Sequence, residues 1–401
     1  MTKNILSLAV AAAMTAGAGI AQAQDITIYG HMHYSTDFVS TNGSVNRLTG
    51  APKARVVRDK DDWQTGVNRN SRIGVKGSED LGNGLKAIFQ IESEVLASGN
   101  GAGGNVGDRN TYVGLSGDFG TVLMGRHDTP YKIATGSLDL FADTIADYNN
   151  HIGSWYGNNR GIGFDNRAQQ TLAYISPNMN GLTIAGAVVG ATIDEVAGNS
   201  DSYAISLAAM YANGPLFASL AYENYEGNLV RRNRARTVAG LVTTVNLRSN
   251  DAWKLGLGYK ANDFTIGFVY ENISGNGRNG MFFGPNGIPN TPVLSSGRDQ
   301  QNYMVNASYA FGNNVLKAQY GHSSPDRVRN GARSYNADYD SWSIGLDHNL
   351  SKRTSLYAIY TDMQNSSAGR GNIYCANAAA GAQCARGSDQ SAVSFGMQHK
   401  F

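Results

Sequence analysis

The chain has 401 residues, with 33 Lys or Arg against 31 Asp or Glu and a formal net charge of +2. That balance gives no electrostatic footprint for a nucleic acid or another polyanion. Only 16% of residues are charged, while glycine reaches 49, tyrosine 21 and proline 8, a mixture that suits strands and tight turns and, lacking any ~20-residue apolar run past residue 20, excludes a helical membrane protein.

The chain opens with "MTKNILSLAVAAAMTAGAGIAQAQ", in which Lys3 precedes an apolar run and Ala21-Gln22-Ala23 follows it. This is the pattern of a secretory signal peptide with an A-x-A cleavage site. Residues 1–23 are read as the export signal and 24–401 as one mature domain. Losing Lys3 lowers the net charge to +1.

From there, apolar and polar residues alternate in segment after segment. "DITIYGHMHYS" (25–35) sets Ile26, Ile28, Met32 and Tyr34 on one face. "SRIGVKG" (71–77) sets Ile73 and Val75 against Arg72 and Lys76. "GLKAIFQIES" (84–93) sets Leu85, Ala87, Phe89 and Ile91 against Lys86, Gln90 and Glu92. Segments 109–117 and 121–126 follow, then a non-periodic stretch from His127 to Asn166. Alternation resumes at 167–175, 182–190, 202–211, 215–225, 251–260, 264–272, 302–311, 315–322, 339–347, 354–363 and 391–401. These sixteen segments of about 8–11 residues match tilted strands that cross a bilayer.

The connections alternate in length. "EDLGNG", "DFG", "SPNMNG", "ANG", "AND", "GNN" and "HNLSKR" are short and carry hairpin residues. Between them lie the long loops 36–70, 94–108, 127–166, 191–201, 226–250, 273–301, 323–338 and 364–390. Short turns at one end and long loops at the other mark a sixteen-stranded antiparallel transmembrane β-barrel of an outer membrane, apolar outside and wet within. Such a barrel must close its last strand on its first, which explains why alternation runs through Phe401, a residue for the aromatic girdle.

The sequence resembles the general porins of Gram-negative outer membranes. The resemblance is carried by "ITIYG", "SRIGVKGSEDLGNGLKAIFQIE", "TYVGLSGDFGTVLMGR", "NRAQQTLAYISPNMNGLTIAGAV" and the terminal phenylalanine, in the family's order across residues 24–401. It implies a homotrimer in the outer membrane, in contact with lipid and lipopolysaccharide, that passes small hydrophilic solutes and ions by passive diffusion. It also implies that the loop after the fifth strand folds inward as a constriction, that the loop after the third reaches over a neighbouring subunit, and that Phe401 belongs to the assembly signal. A substrate-selective channel is the alternative.

The resemblance further implies a ladder of basic wall residues facing acids of the inward loop. Arg72, Arg126 and Arg167 match the ladder, and His31 stands where some relatives have lysine, which weakens the ladder above about pH 6.5. Lys76 and Lys86 share the polar face. Parity places Arg72, Arg167 and His31 inward, whereas Arg126 shares parity with Val122 and Met124 and points inward only if the strand ends or bulges before it. The acids are Asp139, Asp143 and Asp147, whose i, i+4 spacing would stack them on a helical turn. Polar-face charges are Arg72, Lys76, Lys86, Arg167, Lys254 and Lys317 against Glu92, Glu223 and Glu271, so a weak anion preference is expected. The mechanism is filtering by size and by a transverse field, with no chemical step.

Cys375 and Cys384 can pair across a short loop in an exported protein. A metal or redox site there lacks further ligands and the C-x-x-C spacing. "GNGAGG" (99–104) has no following helix, "DKDD" (59–62) reads as a solvated run, and "RRNRAR" (231–236) suits an outer loop near lipopolysaccharide phosphates or anionic solutes. No Ser/His/Asp set is identifiable, His127, His151 and His322 share no metal-ligand spacing, and neither enzyme activity, cofactor nor metal is expected.

Overall fold

The computed structural model describes residues 25–42, 60–95, 106–153, 164–190, 203–225, 237–238, 241–242, 250–275, 299–325, 328–330, 333–367, 369, 371–373 and 387–401. The export signal, both cysteines, "GNGAGG" and "RRNRAR" lie outside the described residues.

In chain order the strands are β1 (Asp25–Thr41), β2 (Lys60–Asn68), β3 (Arg72–Gly82), β4 (Leu85–Glu94), β5 (Thr111–Gly117) and β6 (Gly120–Asp128). After the inner loop come β7 (Arg167–Ile175), β8 (Leu182–Gly190), β9 (Tyr203–Asn213) and β10 (Leu216–Tyr225). Two short hairpins, β11 (Thr237–Val238) with β12 (Leu241–Val242) and β17 (Val328–Asn330) with β18 (Arg333–Tyr335), stand apart in the long loops. The remaining staves are β13 (Asn250–Ala261), β14 (Phe264–Gly275), β15 (Gln300–Phe311), β16 (Asn314–Pro325), β19 (Tyr339–Asn349), β20 (Thr354–Asn365) and β21 (Gln390–Lys400).

Seventeen segments form the main sheet, but β2 and β3 are halves of one stave. Both pair with the same edge of β1: Asp25–His31 face Ser78–Arg72, and Tyr34–Thr41 face Asn68–Lys60. The link between them turns at Asn70, which takes a positive φ of 54°. The other edge of β1 pairs with β21 from His31–Lys400 to Thr41–Gln390. The barrel therefore has sixteen antiparallel staves and no free edge, which satisfies the backbone within lipid. No helix among the described residues is long and apolar enough to cross a membrane.

The alternation sorts residues as expected. On β1, Ile26, Ile28 and Phe38 are exposed while His31, His33, Ser35 and Asp37 are buried inside. On β21, Phe395 and Met397 are exposed and Ala392 and Ser394 buried. Phe401 closes the ring: its backbone exchanges hydrogen bonds of 3.0 and 3.1 Å with Gly30. Its aromatic ring lies where a Cβ on Gly30 would stand, 2.2 Å from Cζ. The first short turn needs left-handed residues, and Asn83 (φ 52°) and Gly84 (φ 75°) supply them.

The sequence reading ends the first strand at Ser35 and assigns 36–70 to a loop. Instead β1 runs on to Thr41 against β2. Above the apolar band both faces of a strand meet water or protein, so the outward apolar residues that signal a spanning strand thin out there.

Candidate functional site

The described parts of the loop between β6 and β7, residues 129–153 and 164–166, fold inside the barrel. The loop starts with a one-turn helix, α1 (Pro130–Ile133), whose cap Thr129 accepts a hydrogen bond from the Lys132 N–H and whose first position is proline. Tyr131 is completely buried among Ala204, Ala208, Ala221 and Ala252. These small inward side chains leave the space that the loop occupies. Tyr131 donates to Glu271 at 2.7 Å. The other oxygen of Glu271 accepts from the Gly153 N–H and from Asn302, each at 2.7 Å. Lys254, fully buried, pairs with Asp165 and lies 4.2 Å from the Tyr131 ring centroid. Both legs of the loop are thus tied to β13–β15.

The middle of the loop follows the wall onward. Lys317 donates to the Leu140 carbonyl at 3.0 Å and pairs with Asp347 at 2.9 Å. Gln319 donates to the Ala146 carbonyl at 3.0 Å. His151 sits between the hydroxyls of Ser323 (2.8 Å) and Ser341 (2.6 Å), stacked on Tyr339. It fits because position 321 is glycine: a Cβ there would stand 2.4 Å from the imidazole. Burial pushes the His151 pKa down to about 3, so the lock is neutral at ordinary pH. Leu138, Phe141, Ile145, Tyr148 and Ile152 are buried beneath. At about 1.5–3 kcal/mol per side chain, their burial contributes on the order of 10 kcal/mol to docking.

Among the described residues the loop leaves the inner face of β4–β7 uncovered, and its charged apex meets β3. Arg72 pairs with Asp143 at 2.8 Å and Asn70 donates to the same carboxylate at 2.7 Å. Burial raises the Asp143 pKa, but the Arg72 charge and the hydrogen bonds from Arg72 and Asn70 outweigh it and hold it below its ordinary value. Along the open wall, Arg167 pairs with Asp128 at 3.1 Å and donates to Asn110 at 2.8 Å. Arg109 pairs with Glu92 at 2.6 Å. Arg69 pairs with the buried Asp37.

Arg126 turns inward for the conditional reason. The β6–β7 register shifts between Gly125 and His127, and Gly125 has a φ of 142° that places Arg126 in a bulge. Arg167, Asp108, Asp128 and Arg109 lie within its electrostatic reach. Its Nε is buried without a hydrogen-bond partner, and it forms no salt bridge among the described residues.

Several expectations need correction. Asp139, Asp143 and Asp147 do not stack on a helix: the segment is a 3-10 turn at Gly136–Leu138 followed by turns, with Asp143 at a φ of 61°. Asp139 accepts from the Phe141 N–H at 2.9 Å, and Asp147 from the Asn149 and Asp143 N–H groups at 2.8 Å each. Two of the three acids therefore cap the loop's own backbone. Lys86 is on the lumen face but eight residues along β4 from Glu94, the partner of Arg72, about 26 Å away from the narrowing. Lys76 lies four residues below Arg72. Parity fails for Arg167, because Gln170 adopts a φ of 52° and shifts the alternation between the buried Ala168 and Thr171. Arg167 joins the cluster through Asn110 and Asp128 instead. Lys254 and Lys317 are structural, hidden beneath the loop. His31 does face Arg72 across the ladder, where it is buried and contacts Gln398 at 3.2 Å.

Arg109, Asp128 and Arg69 were missed by the sequence reading. Arg109 shares parity with the outward Val113 and Leu115, but β5 begins only at Thr111, so parity does not reach it. The "SRIGVKG" block could have led to Arg69 and Asn70, which directly precede it.

The sequence profile of a family described as Gram-negative porin matches residues 9–368. The chain is 30% identical to Outer membrane porin protein 32 of Delftia acidovorans, with 100% of both chains covered. Its structure is similar to the anion-selective porin from Comamonas acidovorans at a TM-score of 0.67 and 23% identity, covering 94% of this chain and 99% of that one. It is also similar to the trimer form of OmpT, an outer membrane protein of Vibrio cholerae, at a TM-score of 0.59 and 16% identity, covering 94% and 99%.

Proposed function

The chain belongs to the Gram-negative porin family and is an outer-membrane channel, and from this we propose that small hydrophilic solutes diffuse between the inner loop and the β3–β7 wall with a weak preference for anions. The observation that carries the preference is Arg126, a lumen guanidinium without a carboxylate partner among the described residues, where the neighbouring Arg72, Arg109 and Arg167 are each paired. The Comamonas acidovorans porin, similar in fold, is anion-selective. We also propose that residues 1–23 serve as the export signal and that Cys375 and Cys384, both outside the described residues, pair.

The assembly is read as a homotrimer. The girdle is aromatic from Tyr174 round to Phe401, with Tyr203, Tyr211, Trp253, Tyr309 and Trp342 exposed. On β3–β6 and the lower half of β1 the exposed large apolar side chains are Ile26, Ile28, Ile73, Leu81, Ile91, Val113, Leu115, Val122 and Met124, with Phe119 the one exposed aromatic residue, in the β5–β6 turn. Aromatic residues mark a lipid interface, so the aliphatic sector suits contact with other copies, and the similar Vibrio cholerae protein has a trimer form.

The reversal potential in a planar bilayer under a KCl gradient tests the preference. Chloride should permeate more readily than potassium, and Arg126→Ser should bring the two permeabilities closer. A cation-preferring wild-type channel would reject this reading.

A pH response follows from the loop acids. Burial, helped by the Asp143 charge, pushes the Asp147 pKa up to about 6 against the pull of its N–H donors and Lys132. Between the ordinary carboxylate range and about 6 the folded protein holds a proton that the unfolded chain releases. Docking of the loop is therefore favoured toward acid and weakens as pH rises through about 6. The bound proton also removes a negative charge beside the passage. Anion preference should grow as pH falls from about 7.5 to about 5, and Asp147→Asn should flatten that slope. An equally steep slope in the variant would assign the response to other groups.

A further inference from the structure

We propose that the open wall carries a stacking site for small aromatic carboxylates next to Arg126; the inference rests on the reading of the protein as an anion-preferring porin.

Two tyrosines lie along this wall. The Tyr29 ring crosses directly over Gly74, where a Cβ would stand 2.4 Å from Cζ and 2.5 Å from the hydroxyl. With no side chain beneath it, the ring rests against the wall, with the Lys76 ammonium 5.5 Å from the ring centroid. Its hydroxyl donates to Glu92 at 2.9 Å. Tyr112 packs on Leu123, Ala173 and Ala187, and its hydroxyl donates to Gln90 at 3.2 Å. Its ring and the His127 ring stand edge to face, with centroids 5.2 Å apart. Both tyrosines remain partly exposed.

Gln90 and Glu92 are two residues apart on one face of β4, so the anchored hydroxyls are offset by about one strand repeat, ~7 Å. That is about the span of a benzene ring. Register then places the charge: Tyr112 pairs with Gly125, and Arg126 follows it. A carboxylate taken by the Arg126 fork leaves an attached ring beside the tyrosine faces. An aliphatic acid of the same charge and size gains the arginine and dispersion contact but no ring stacking.

The probes are benzoate and cyclohexanecarboxylate, added to the full-length channel in planar bilayers. The readout is the concentration of each that halves the chloride current. Benzoate should act at about fivefold lower concentration, the order expected of aromatic stacking. Tyr112→Leu and, separately, Tyr29→Leu should bring that ratio toward one, and Arg126→Ser should weaken both acids together. Equal potency of the two acids in an anion-preferring wild-type channel would overturn the stacking site alone. A cation-preferring channel would overturn the pore reading and the stacking site with it.

Discussion

Replacing Lys254 by methionine is expected to release the inner loop and enlarge the channel. Lys254 and Asp165 are both fully buried, and Asp165 also accepts from Tyr148 at 2.7 Å and Asn149 at 2.9 Å. Removing the ammonium leaves a carboxylate without its counter-charge in a dry site. Breaking a buried pair from one side costs about 3–5 kcal/mol, whereas replacing both partners by apolar groups can be neutral. That loss is a substantial part of the ~10 kcal/mol that the loop's apolar side chains contribute. Single-channel conductance should rise and become noisy, and protease should cut within 129–166. Adding Asp165→Leu should restore much of the wild-type behaviour. A quiet channel of normal conductance in the single variant would mean that the Glu271 contacts and the His151 socket hold the loop without this pair.

Arg72→Ser should shift ion selectivity further than Arg126→Ser does. Arg72 is half of an ion pair, so its removal subtracts a positive charge and also exposes the negative charge of Asp143. The Arg72 charge and hydrogen bond hold Asp143 ionised against burial, and the Asn70 hydrogen bond and the Arg109 charge remain afterwards. The reversal potential should move toward cation preference, by at least about twofold in permeability ratio, since a neutral pair at the loop apex becomes a net negative charge at the narrowing. Arg72→Ser combined with Asp143→Asn removes both charges and should return most of the shift. If the double variant matches the single one, the two groups do not act as a pair in the open channel.

Much of this could be read from the order of residues. Period-two alternation identified all sixteen staves, since a spanning strand must show lipid one face and water the other. Gly, Asn and Asp clusters located the short turns, and the inward faces of Arg72, Lys76 and His31 followed from parity alone. Parity served only while strands stayed regular. It failed at Gln170 and reached Arg126 only with the provision for a bulge, because one left-handed residue reverses every side chain beyond it.

Which charges remain available was decided by tertiary structure. Lys254, Lys317, Arg126 and Arg72 look alike on an alternating strand. The loop covers the first two, pairs with the last and leaves Arg126 alone, and no local pattern encodes where a loop of some forty residues will lie. The alanines and glycines that receive it, such as Ala204, Ala252 and Gly321, read in sequence as unremarkable small residues. Sequence by itself determined the barrel, because solvation on two faces is a constraint that each strand meets locally. The passage, its charge balance and its narrowing came only with the fold, because they depend on contacts between segments far apart in the chain, from 71 residues for Arg72 and Asp143 to 190 for His151 and Ser341.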